Sequence, residues 1–165
     1  MTNVVEKQDE VLVPAADQRF QLDKALPEWF KAMIALNTAA ADGLDPVISE
    51  LVRIRASQIN GCAFCLDMHN ADARSHGVPE HKLFTISAWR DTPFFTARER
   101  AALALAEAMT RISDHGVPDD VYQEAARQFD ESELAKVMAM VITINCWNRI
   151  SITTGMSPAP RPDKS

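Results

Sequence analysis

The chain reads as an all-α domain of about six or seven helices. Three observations predict this. Apolar residues recur at helical spacing along most of the 165 positions, a helix-start signal precedes most of these runs, and no stretch sustains the period-two alternation of β-branched residues that a strand needs.

Pro27 is placed to open the first helix, over Glu28 to Ala41, because its missing N–H costs nothing in a first turn. Trp29, Met33, Leu36 and Ala40 recur there at helical spacing, and Gly43 breaks the run. Asp45-Pro46 supplies a cap and a first-turn proline for a helix reaching about Asn60, with Val47, Leu51, Ile54 and Ile59 as its apolar positions. Asn60-Gly61 is a turn signal, after which a helix starts at or near Cys62 and ends by Gly77. A short helix follows Val78-Pro79-Glu80 and reaches roughly Trp89. Thr96-Ala97-Arg98-Glu99 is a capping box for a helix ending before Gly116. Pro118 to Gln128 gives another. Ser132, or Asp130 before it, caps the last and most apolar helix, through Val137, Met140, Val141, Ile144 and Trp147 to Ile152. The expected organisation is a polar segment over 1–20, one helical domain over 21–156 and a flexible, Pro-rich tail over 157–165.

A net charge of −6 argues against nucleic acid or an anionic membrane as partner. The polar, acidic start of the chain lacks the apolar core of a signal peptide, and no apolar run is long enough to span a bilayer. The expected location is the cytoplasm, where thiols stay reduced and a Cys-x-x-Cys pair points to redox or metal chemistry rather than a structural staple. Cys146, in an apolar helix, is read as packing. Several helices are apolar on more than one face, which predicts a homo-oligomer.

One short stretch carries the chemistry: Glu50-x11-Cys62-Ala63-Phe64-Cys65-x3-His69. A helix beginning at Gly61-Cys62 puts both thiols in its first turn, where unpaired backbone N–H groups favour thiolate over thiol. Residues three apart share a face, so the sulfurs can approach; Cys65 and His69, four apart, share it too, which lets the imidazole take the Cys65 proton directly or through one water. Glu50 sits on the preceding helix. If it meets His69 it would hold the imidazole's tautomer, as the third member of a triad does. The spacing permits this without requiring it; a glutamate like Glu50, taken alone, is more often an exposed first-turn acid stabilised by the helix dipole.

Zinc is the second reading of these residues. Cys62, Cys65, His69 and His76 formally supply two sulfurs and two nitrogens, but His76 lies two turns beyond His69, far for one ion held from one helix. No metal is therefore expected. Haem attachment fails because Leu66, not histidine, follows Cys65. His81 and His115 have loop-like neighbours and are read as solvated.

The stretch from Glu50 to His69 resembles the core of the alkylhydroperoxidase D-like (AhpD-like) group of the carboxymuconolactone decarboxylase superfamily. The similarity extends to Ala88-Trp89-Arg90, to Phe95-Thr96-x-x-Glu99-Arg100-Ala101-Ala102-Leu103 and to Ile144-Asn145-Cys146-Trp147-Asn148-Arg149, so that it spans about Leu26 to Ile152. The resemblance implies an all-α fold assembling as trimers or hexamers, with the active site near a subunit contact. It also implies a peroxidase without a bound cofactor, its redox centre a Cys62–Cys65 disulfide. In that scheme Cys65 is the peroxide-reacting thiol, deprotonated through His69 with Glu50 behind it. Cys62 resolves the sulfenic acid, and an external dithiol reduces the disulfide.

This chain departs from the best-known member at Phe64, where that protein has a histidine credited with binding the peroxide. Phe64 cannot donate a hydrogen bond, so it becomes the expected substrate-binding position for a more apolar peroxide. Two other functions stay open: decarboxylation of a muconolactone-type acid, whose enzymes generally lack the cysteine pair, and a non-catalytic redox sensor or disulfide-exchange protein.

Overall fold

The computed structural model describes residues 13–159. Of the segments expected at the ends, residues 1–12 and 160–165 lie outside the described residues. Among the described residues the fold is all-helical, with nine α-helices and no strand: α1 (Leu22–Ala25), α2 (Pro27–Ala41), α3 (Pro46–Asn60), α4 (Ala63–Ser75), α5 (Glu80–Thr85), α6 (Ala97–Thr110), α7 (Ile112–His115), α8 (Asp119–Gln128) and α9 (Glu131–Thr154). A 3-10 helix, Ile86–Asp91, continues α5.

The class is as expected, but the count of six or seven is corrected to nine. Two of the nine, α1 and α7, are single turns of four residues with no buried side chain, too short to show a periodic apolar pattern. The expected run from Thr96 to Gly116 breaks at Arg111 (φ −101°, ψ 36°), which divides α6 from α7. The expected helix from Glu80 to Trp89 remains α-helical only to Thr85 and then tightens, with Ala88 outside helical geometry.

Local chemistry explains where the main helices start. Asp45 accepts from the N–H groups of Val47 (2.8 Å) and Ile48 (3.4 Å), satisfying two donors that α3 cannot pair internally. Thr96 and Glu99 close the reciprocal capping box at α6. At α9 the cap is Asp130 rather than Ser132. Its carboxylate accepts from Glu133 N–H at 2.8 Å while Glu133 reaches back to Asp130 N–H. Gly61 ends α3 in the left-handed region (φ 72°), a conformation without steric cost only for glycine, and so aims the chain directly into α4.

Helix α3 is the organising element, packing against α4, α6 and α9. Its Ile48 and Val52 join a core built from α2, α6, α8 and α9, with Leu105, Val137 and Met140. Its Leu51 and Ile54 join a second core with Leu83, Ile86, Trp89 and Leu103. Its Ala56 meets Cys62, Cys65 and Ile144 in a third. Leu51, Val52 and Ile54 are fully buried, each contributing about 1.5–3 kcal/mol relative to exposure. The apolar positions of α2 divide instead: Met33 and Ala40 are buried, whereas Trp29 and Leu36 are over 40% exposed (43% and 44%). No helix among the described residues is long and apolar enough to cross a membrane.

Candidate active site

Cys62 is the N-cap of α4, and Cys65 stands in its first turn. The Cys65 N–H donates to Cys62 Sγ at 3.3 Å, and the two sulfurs are 2.6 Å apart. Both are almost wholly buried, and both are free thiols. Ionisation of the pair is favoured at Cys62. The Cys65 S–H donating to it, despite the opposing effect of burial, together with the Cys65 backbone N–H lowers its pKa from 9.0 to about 6. Cys65 is pushed the other way by the same bond, by burial and by the charge on Cys62. A thiolate is therefore favoured at the cap residue, chiefly by the Cys65 S–H and also by the Cys65 backbone N–H.

His69 lies one turn beyond Cys65 and Glu50 comes from α3; the antiparallel return at Gly61 brings them together, with Glu50 Oε2 2.8 Å from His69 Nδ1. An ionised carboxylate only accepts, so Nδ1 carries a proton toward Glu50, and in the neutral imidazole Nε2 is then the acceptor. Burial raises the pKa of Glu50, but the hydrogen bond and charge of His69 and the guanidinium of Arg53 outweigh this and hold it below 4.5. Arg53 Nη1 donates to Glu50 Oε1 at 2.6 Å, one turn along the same face of α3.

Cys65 and His69 open onto one cavity of about 410 Å³, whose wall includes Phe30, Ile34, Phe64, Met68 and Trp147. Phe30 and Trp147 meet edge to face, with ring centroids 5.4 Å apart. Phe64, singled out in the sequence, is thus a wall residue. Cys62 borders a separate cleft of about 220 Å³, between Ala16–Arg19 and the chain after α9.

Glu50, Cys62, Cys65 and His69 are therefore gathered at one place. His76, the remaining donor of the zinc reading, is exposed at the far end of α4. Among the described residues the donors that do gather are Glu50, His69 and Asp72, within 4.8 Å of one another, and Arg53 already engages the first of them. His81 and His115 are exposed, as expected, and Cys146 is half-buried.

Reasoning from sequence missed Arg53, Asn148 and Ser151. Ser151 Oγ is 3.8 Å from Cys65 Sγ, and Asn148, fully buried, donates to Ser57 Oγ at 3.0 Å and accepts from Asn60 Nδ2 at 2.8 Å. The signal was present: Asn148 and Ser151 stand three apart in a helix whose neighbouring positions include Ile144, Trp147 and Ile150.

The carboxymuconolactone decarboxylase family model matches residues 27–108. The uncharacterized protein YdfG of Bacillus subtilis is 37% identical over 145 residues, 87% of this chain and 99% of YdfG. The chain belongs to the carboxymuconolactone decarboxylase family. Within it, a protein of unknown function from Agrobacterium tumefaciens, ATU0492, has a crystal structure that superposes with a TM-score of 0.83 at 38% identity, covering 87% of this chain and 100% of that one. The family member also resembles the alkyl hydroperoxide reductase AhpD of Hyphomonas neptunium, 38% identical over 52 residues, which are 32% of this chain and 29% of that protein. These likenesses make it an AhpD-like member of the superfamily. The solved AhpD-core protein from Ralstonia eutropha (22% identity, TM-score 0.73, covering 83% of this chain and 74% of that one) shares the fold.

Proposed function

We propose that the protein is a thiol-dependent peroxidase that reduces organic hydroperoxides or H2O2 through the Cys62/Cys65 pair, with Glu50 and His69 as its proton relay. The observation that carries this reading is that Cys65 and His69 share one cavity wall while Glu50 holds the other face of the imidazole. The AhpD relatives support it by name.

In this scheme His69 Nε2 takes one proton from the pair, directly or through a water in the cavity, and the proton that remains passes to Cys62 so that Cys65 attacks as the thiolate. The Cys65 thiolate attacks the terminal peroxide oxygen: an S–O bond forms, the O–O bond breaks, and His69 returns the proton to the departing alkoxide, which leaves as an alcohol. Cys62 then attacks the Cys65 sulfenic acid with loss of its proton, forming the disulfide and releasing water. An external dithiol returns the pair to the reduced state. The apolar wall formed by Phe30, Phe64, Met68 and Trp147 suits an organic hydroperoxide better than H2O2.

The test is a thiol count by mass spectrometry on reduced protein after one equivalent of cumene hydroperoxide. The reading expects loss of two thiols within seconds to minutes, a Cys62–Cys65 linkage, and a trapped sulfenic acid in Cys62→Ser. Thiols still free after minutes would remove it. The same proposal includes self-association as a trimer or hexamer, for Ile34 and Met68 at the cavity are 50% and 39% exposed in one chain. A monomer by light scattering would contradict that part.

A further inference from the structure

Arg53 is the only arginine or lysine among the described residues that line the Cys65 cavity. Its side chain is held on two sides: Nε donates to Met140 Sδ at 2.9 Å and Nη1 to Glu50 Oε1 at 2.6 Å. A guanidinium carries five N–H groups in a rigid planar fork. These two bonds therefore fix its plane and leave three N–H groups, both of those on Nη2 included, without a partner among the described residues. The side chain is only 11% exposed, yet no buried side-chain nitrogen among the described residues lacks a partner. Nη2 thus opens on space, and the space that Arg53 borders is the cavity.

Charge decides what this fork can take. Glu50 already neutralises the guanidinium from behind, and Asp72, on the same wall, lies 3.9 Å from His69 Nδ1. Two carboxylates against one guanidinium disfavour an anionic ligand. They suit a neutral oxygen acceptor that gains negative charge only as it reacts. Glu50 also brings the fork and the imidazole together, since its two oxygens hold Arg53 and His69 at once and both border one cavity. Phe64, between the cysteines, offers no donor of its own.

We propose that Arg53 is the peroxide-binding residue of this site, its free N–H groups holding the oxygen that departs when the Cys65 thiolate attacks a neutral organic hydroperoxide. The inference rests on the peroxidase reading and gives it a further residue. As the S–O bond forms and the O–O bond breaks, the electron pair moves onto the alkoxide oxygen. Arg53 stabilises that charge where it develops, and the proton from His69 converts the alkoxide to the alcohol. An arginine suits this part because it stays protonated: it donates hydrogen bonds without competing with His69 for the transferred proton.

The experiment compares two reactions of Cys65 in a Cys62→Ser background, each mapped to that residue by mass spectrometry. One is oxidation by cumene hydroperoxide. The other is alkylation by iodoacetamide, which needs the thiolate but has no departing oxygen. Adding Arg53→Met should slow the oxidation by about 100-fold, the scale of one lost oxyanion donor, and the alkylation by no more than about threefold. Adding Arg53→Lys, which keeps a charge facing Glu50 but loses the fork, should leave alkylation in place and slow the oxidation by about tenfold. An unchanged oxidation rate in Arg53→Met would overturn the proposal. Equal slowing of both reactions would do so too, because Arg53 would then act only through Glu50, His69 or the fold. If Arg53→Met does not fold, Arg53→Lys decides, and an undiminished oxidation rate in it counts against the fork. Failure of the broader reading looks different. A Cys62→Ser protein inert to cumene hydroperoxide removes the peroxidase function and this proposal with it, whereas a reactive one indifferent to Arg53 removes the proposal alone.

Discussion

Glu50 is 3% exposed and yet ionised at neutral pH, because it serves two cationic or proton-donating partners at once. Its Oε2 orients His69 and its Oε1 holds Arg53, whose Nε in turn donates to Met140 Sδ at 2.9 Å. Glu50→Gln keeps the shape and removes the charge. Peroxide-driven loss of thiols in this variant should slow by about 100-fold, the usual scale of a positioned acid–base group. Stability by urea titration should fall by about 3–5 kcal/mol, because Arg53 is left buried without its carboxylate. A variant that kept the parent rate would free Glu50 from the relay. The residue types and the three- and four-residue spacings from Cys62 to His69 were legible in the sequence. The meeting of Glu50 with His69 was not, since it depends on how α3 and α4 pack.

At the scale of elements, the hinge at Gly61 decides that packing. Its φ of 72° lies where a side chain costs about 1–2 kcal/mol, and a Cβ built there would meet nothing within 4 Å. Gly61→Ala should therefore destabilise the protein by about 1 kcal/mol through backbone strain alone, as measured by thermal or urea unfolding. Its Cys62 titration should shift only if the strain moves the N-cap. A loss of 3 kcal/mol or more would point to a steric clash that the structure does not contain. Caps and breakers were readable in advance because they act within four residues: Asp45 at α3 and the Thr96–Glu99 box stand where the sequence put them. The break at Arg111 and the tightening after Thr85 were not readable, as neither carries a proline or glycine.

For the whole molecule, buried carboxylates tie separate helices together. Glu107 on α6 accepts from Arg55 Nε of α3 (2.6 Å), from Trp89 Nε1 (3.0 Å) and from Arg90. Burial raises its pKa, but the hydrogen bonds of Arg90, Trp89 and Arg55 prevail and lower it below 4.5. Glu50 is depressed in the same direction. For a carboxylate whose folded pKa lies below its unfolded one, the stabilisation is complete above about 4.5 and is lost as pH falls through the folded value. The parent should accordingly lose stability steeply below pH 4.5. Glu107→Gln, less stable at pH 7, should show a shallower slope in urea unfolding followed from pH 7 to pH 3. Equal slopes would mean that Glu107 does not couple to folding.

The sequence by itself determined the helical class, the main helix starts and the identity of the cysteine pair with its histidine. All of these follow from interactions between residues close along the chain: periodic burial, capping and the geometry of one helical turn. The tertiary structure alone decided that Glu50 reaches His69, that Cys65 opens onto an apolar cavity while Cys62 borders another cleft, and that Ser151 Oγ stands 3.8 Å from Cys65 Sγ. Those contacts join α3, α4 and α9 across separations of 19 to 86 residues, and they exist only once the apolar faces of these helices have packed.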